Sequence, residues 1–127
     1  MKSFFTIASL FMVTLLSSFK INAGIDDVVA AMKTGNASQL AKFFDNNIEI
    51  AMPDKSNTYS KSQGELVLKD FFNNNGVITF EVIHSGDNAG AQYVIGNLQT
   101  KKGTYRTTIY IKQKADKQVL QEIRFEK

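Results

Sequence analysis

From Val77 to the carboxyl terminus apolar residues recur at every second position, whereas before Val77 they recur at every third or fourth. A carboxyl-terminal half that alternates must form strands. An amino-terminal half spaced for helices then has to supply the layer that buries one face of those strands. The class is α+β, with three N-terminal helices expected to pack on a strongly curved antiparallel sheet. A chain of 127 residues can build one such layered domain and not two.

In the strand half, Ile78, Phe80, Val82 and His84 are expected on one face of a strand that turns at Ser85-Gly86-Asp87-Asn88 and Gly90. A second strand covers about Gln92 to Thr100, and Lys101-Lys102-Gly103 makes a hairpin into a third, Thr104 to Lys114. There Tyr105, Thr107, Ile109 and Ile111 face away from Arg106, Thr108, Tyr110 and Lys112. After Ala115-Asp116-Lys117, strict alternation puts Val119, Gln121, Ile123 and Phe125 on one side of the last strand and Leu120, Glu122, Arg124 and Glu126 on the other.

The helical half begins with Ile25, Val28, Val29 and Met32 at i, i+3, i+4 and i+7, acids in the first turn and Lys33 in the last, ending at Gly35. Asn36 can cap a second helix, with Gln39 three residues on and Leu40, Phe43 and Phe44 as its apolar stripe. Asp45-Asn46-Asn47 stops it. Ile48, Ile50 and Met52 then alternate with Glu49 and Ala51 as a strand ended by Pro53. Asp54 to Tyr59 reads as a loop. Ser60-Lys61-Ser62-Gln63 fits a capping box for the third helix, whose face is Val67, Leu68, Phe71 and Phe72 and whose stop is Asn73-Asn74-Asn75-Gly76. Gly64 inside it is less favourable than Ala by about 1 kcal/mol.

Lys2 followed by an apolar run from Phe4 to Leu16, shorter than the roughly 20 residues that span a bilayer, reads as a secretory signal. Cleavage is expected after Ala23, although Ile21 is bulky for the minus-three position. Residues 1–23 are therefore the leader and 24–127 the single domain. The destination is periplasmic or extracellular, with no stable membrane insertion once the leader is gone. Most of the formal +3 charge leaves with Lys2 and Lys20, so the mature domain lacks the positive field of a nucleic-acid binder.

With no cysteine the chain has no disulfide, thiolate nucleophile or lipid anchor. A zinc site is not expected around a single His, and no acidic calcium loop or glycine-rich phosphate loop occurs, so neither metal nor cofactor is expected.

The strings Gly35-Asn36, Tyr59-Ser60-Lys61, Lys69-Asp70-Phe71-Phe72, Phe80 with His84 and Gly86, Tyr93 to Gly96, and Gly103-Thr104-Tyr105-Arg106 resemble domain-of-unknown-function family 4783. These are small exported bacterial proteins within the nuclear transport factor 2-like superfamily. The resemblance covers residues 24 to 127 and implies an α+β cone with an open end and no assigned reaction. Enzymes of that superfamily work inside the cone with an Asp or His base, for which this chain offers no firm equivalent.

His84 ends an apolar face and is expected at the lip of the cone. Tyr59, His84, Tyr93, Asn97 and Gln99 are the candidate ligand-binding set at that open end. The leading expectation is non-catalytic binding of a small amphipathic ligand or a protein partner. The alternative is an acid/base isomerase or lyase using His84 with Tyr59 or Tyr93. Glu49 and Glu81 oppose apolar positions and are read as solvated. Lys101 to Lys117 holds six basic residues and one acid, read as lysines that guard sheet edges rather than as a polyanion site. Arg106, Tyr110, Glu122 and Arg124 lie opposite the core positions and form the candidate homodimer surface, a pairing the resemblance also implies.

Overall fold

The computed structural model describes residues 23–88 and 90–127. The leader, and with it the expected cleavage site, lies outside the described residues except for Ala23. Helix α1 spans Ala23–Thr34, with Asp26 in its first turn and Lys33 in its last. It ends where Gly35 turns left-handed at φ 63°. Asn36 caps the short α2, Ala37–Ala41, through its side-chain oxygen, which accepts the Gln39 N–H at 3.1 Å.

Strand β1, Phe44–Ala51, starts earlier than the Asp-Asn-Asn stop suggested, so Phe44 belongs to the sheet and not to a helical stripe. Its pair β2, Ser56–Ser60, occupies most of the segment expected as a loop. An edge strand with a single neighbour can be polar throughout, and SNTYS lacks the alternation that marks a half-buried strand. Helix α3, Lys61–Asn75, follows this hairpin, so the helices are not one amino-terminal run. Ser60 caps it through the Gln63 N–H, and left-handed Gly76 closes it with an N–H bond to the Phe72 carbonyl at 2.9 Å.

Strands β3 Val77–Asn88, β4 Ala91–Thr100, β5 Gly103–Lys114 and β6 Lys117–Glu126 form the expected meander. The sheet has six strands in the order β2-β1-β6-β5-β4-β3. It is mixed rather than wholly antiparallel, because β1 runs parallel to β6. The helices cover one face. Against it lie Phe80, Val94, Leu98, Ile109, Ile111, Leu120, Ile123 and Phe125, packed with Val28, Met32, Leu40 and Leu68. Burial of this much aliphatic and aromatic surface, at about 25 cal/mol per Å², is the main force holding a disulfide-free domain together.

Register shifts give the sheet its curvature and overturn two parity expectations. In β3 the pairing with β4 slips between Val77 and Thr79 and again between Val82 and His84, leaving Ile78 and Ile83 as extra residues. Phe80 and Val82 pair with inward Leu98 and Gly96. Beyond the second bulge Ser85 is the residue opposite buried Val94, while His84 pairs with Ile95 and faces outward. In β6 the slip against Tyr110 and Ile111 leaves Gln121 unpaired, so Leu120, Ile123 and Phe125 face the core together. In β5, which pairs without a slip along β4, Tyr105, Thr107, Ile109 and Ile111 are all buried, as expected.

Candidate functional site

The five side chains of the candidate ligand set do not converge. Tyr59 pairs with buried Ile48 on β2, at one edge of the sheet and on the helix-covered side. His84 lies on β3 at the opposite edge and on the other face. Tyr93, Asn97 and Gln99 alternate with buried Val94, Leu98 and Thr100, so they share the open face with His84 rather than the interior. The expectation of a shared rim failed for three separate reasons: the bulge in β3 turns His84 outward, regular alternation turns Tyr93, Asn97 and Gln99 outward, and Tyr59 sits on the edge strand farthest from them.

Within that set His84 and Tyr93 do form a unit. The His84 Nε2 and the Tyr93 hydroxyl lie 2.9 Å apart, with ring centroids at 5.6 Å. Gly86 permits it: a β-carbon there would lie 2.7 Å from the Tyr93 ring and hydroxyl. No carboxylate is bonded to the imidazole among the described residues, and His84 is exposed and lines none of the described cavities. Neighbouring Ser85 diverges from it, as alternation requires.

The candidate dimer residues Arg106, Tyr110, Glu122 and Arg124 do share the open face. Tyr93 pairs with Tyr110 and Tyr110 with Glu122, and Arg106 and Tyr110 are exposed. Glu122 and Arg124 bond to each other at 2.8 Å. A polar groove of about 670 Å³ crosses this face between Glu49, Glu122, Tyr110 and Lys112. At its end the Lys114 ammonium lies 3.1 Å from Asp45. The Asn46 backbone N–H and then Lys114 hold the Asp45 carboxyl below the ordinary aspartate value.

A second kind of site lies where the helical layer stops short of the sheet. Met52, Val67, Phe71 and Tyr105 floor a cavity of about 560 Å³, and Asp54, Lys55, Asp70 and Lys127 rim it. This volume is in the range of small-molecule pockets, and the combination of apolar floor and charged rim suits an amphipathic molecule. The floor is firmly placed. Phe71 stacks on Phe125 at 4.4 Å and meets Tyr105 edge-on at 5.1 Å. The Tyr105 hydroxyl donates to Asn75 Oδ1 at 2.8 Å, and Asn75 Nδ2 donates to the Phe71 carbonyl at 2.8 Å. The Lys127 ammonium sits 5.4 Å from the Tyr105 ring centroid, within cation–π range.

Sequence reasoning placed Phe71 and Tyr105 in the core but missed this cavity. A readable signal was there: an inward Tyr on β5 needs a partner for its hydroxyl, and an apolar Met52 precedes the Pro53 that ends a strand. Among the described residues no group of three or more His, Asp and Glu side chains is placed to hold a metal ion.

A family model described as domain of unknown function (DUF4783) matches residues 25–126. A crystal structure of a DUF4783 family protein from Bacteroides uniformis ATCC 8492 is 30% identical, with a TM-score of 0.77 over 80% of this chain and 94% of that one. Another, from Bacteroides ovatus ATCC 8483, is 27% identical with a TM-score of 0.77, over 80% and 92%. An NTF2-like protein of unknown function from Cytophaga hutchinsonii ATCC 33406 shares 9% identity and a TM-score of 0.59, over 80% and 83%, a likeness of fold alone. No curated protein matches.

Proposed function

The chain belongs to the DUF4783 family, with a nuclear transport factor 2-like α+β fold, and from that premise we propose that it is an exported, non-catalytic binding module. Its ligand is a small amphipathic molecule held at the mouth between α3, the turn after β1 and the carboxyl terminus. The carrying observation is the cavity of about 560 Å³ over Met52, Val67, Phe71 and Tyr105 with charges of both signs at its rim. The apolar body of a ligand would displace water from that floor, at about 25 cal/mol per Å² covered, and its polar end would stay at the rim. Export is supported by the leader pattern of Lys2 and the apolar run Phe4 to Leu16. No helix among the described residues is long and apolar enough to cross a membrane.

The acid/base alternative draws support only from the His84–Tyr93 bond, because Tyr59 stands at the far edge and on the other face. Binding of the fluorescent amphiphile anilinonaphthalene sulfonate tests the mouth directly. Val67→Glu puts a carboxylate on the apolar floor and is expected to weaken the probe by about tenfold or more with the fold retained. Equal binding by the variant and the parent protein would reject the site.

A further inference from the structure

The two edges of the sheet are guarded differently. β2 is short and polar, and Pro53, Lys55 and Lys61 flank it, which is how edge strands are kept from pairing with strangers. β3, at the other edge, runs 12 residues without a Lys, Arg or Pro. Five large apolar side chains are exposed among the described residues, and three are on this strand: Ile78 at 59%, Val82 at 45% and Ile83 at 59%. Bulges ordinarily turn an edge away from other chains, yet here each extra residue is an isoleucine held in water. A long apolar edge with unpaired backbone groups selects another extended strand as its partner.

We propose that β3 pairs antiparallel with the β3 strand of a second copy of this chain, with Val82 opposite Ile83 across a two-fold axis. Parity supports this register. Residues opposed in an antiparallel pair must share a face, and the bulge at Ile83 puts Glu81 and His84 together on the open face. Thr79 and Gly86 share that face as well, while Phe80 and Ser85 share the other. All three pairs therefore match in this register.

The flanking pairs are also complementary as acceptor and donor. Glu81 of each copy comes opposite His84 of the other, on both sides of the aliphatic centre. The His84–Tyr93 contact suits it: in the tautomer whose Nε2 accepts the Tyr93 hydroxyl proton, Nδ1 carries the N–H that a carboxylate would accept, and the two copies would complete a Tyr–His–Glu chain that one copy lacks. The edge-to-edge pairing differs from the face-to-face surface around Tyr110.

The absence of cysteine makes a clean test. Sedimentation of the protein as purified from cells is expected to show a reversible dimer. Ile83→Lys is expected to raise its dissociation constant about tenfold or more with an unchanged circular dichroism spectrum. Tyr110→Lys should leave the dimer intact. Glu81→Cys and His84→Cys proteins, mixed and mildly oxidised, are expected to form a disulfide dimer that neither forms alone. A monomer at every concentration, a dimer lost with Tyr110→Lys but kept with Ile83→Lys, or equal cross-linking in the unmixed samples would each overturn the proposal.

Discussion

Ala115 holds a φ of 57° in the turn between β5 and β6, a left-handed conformation that its β-carbon opposes. Glycine there relieves the strain but loses more chain entropy, so Ala115→Gly is expected to stabilise by about 0.5–1 kcal/mol, read as a shift of the urea midpoint. Tyr105 and Asn75 are coupled in the opposite sense. Tyr105→Phe leaves the Asn75 side-chain oxygen buried without its donor, and a loss of about 1–2 kcal/mol at constant urea dependence is expected. Asp45 supplies a pH dependence of definite sign. Its folded carboxyl is held below the unfolded value, so the linked stability is fully present above about pH 4 and is lost as acid protonates the folded group. Acid titration of unfolding should therefore be flatter in Asp45→Asn than in the parent protein, and equal slopes would mean that neither the Asn46 N–H nor Lys114 stabilises the carboxylate.

Helix α3 shows what was readable at the level of elements. Its cap Ser60, its stripe and its stop at Gly76 were all legible, because each depends on a few adjacent residues. Gly64 was legible only as a weakness. The structure gives its reason: a β-carbon there would collide with the Ile48 methyl and press on Phe44, so glycine lets α3 lie close on β1. Gly64→Ala should thus destabilise despite better helix propensity, with overpacking of about 1–3 kcal/mol outweighing about 1 kcal/mol of propensity. A rise in thermal midpoint would show that the helix can lift off β1 without penalty. β2 was not legible, since an edge strand of SNTYS buries almost nothing and only its partner β1 defines it. Of the mouth only the hints at Tyr105 and Met52 were legible, because Met52, Phe71 and Tyr105 come from three separate segments of the chain.

The curvature of the sheet belongs to the whole molecule, and the bulges in β3 connect it to the exposed edge of the sheet. Alternation alone assigned the core faces of β5 correctly and misassigned those of β3 and β6, the two strands that carry an extra residue. An insertion of one residue leaves no compositional mark, yet it bends the strand and exchanges the faces of everything after it. α1 packs along β3, and Val82, Ser85 and Val94 wall the groove beneath it, so the inward side of β3 beyond the bulge is defined by Ser85 and not by His84. Deleting Ile83 separates the backbone role of the bulge from its side chain. With the residue gone, Val82–Gly96, His84–Ile95 and Ser85–Val94 become consecutive pairs, so the ladder closes with every face kept and only the local bend is lost. The deletion is therefore expected to keep the fold and the His84–Tyr93 contact and to lose no more than about 3 kcal/mol, while Ile83→Thr, a change at a side chain 59% exposed, is expected to stay within about 1 kcal/mol. Equilibrium unfolding of the two variants decides it: a deletion that unfolds the protein would mean that the pairs on either side of Ile83 do not join into one ladder, and the placement of His84 outside the cone would lose its physical basis.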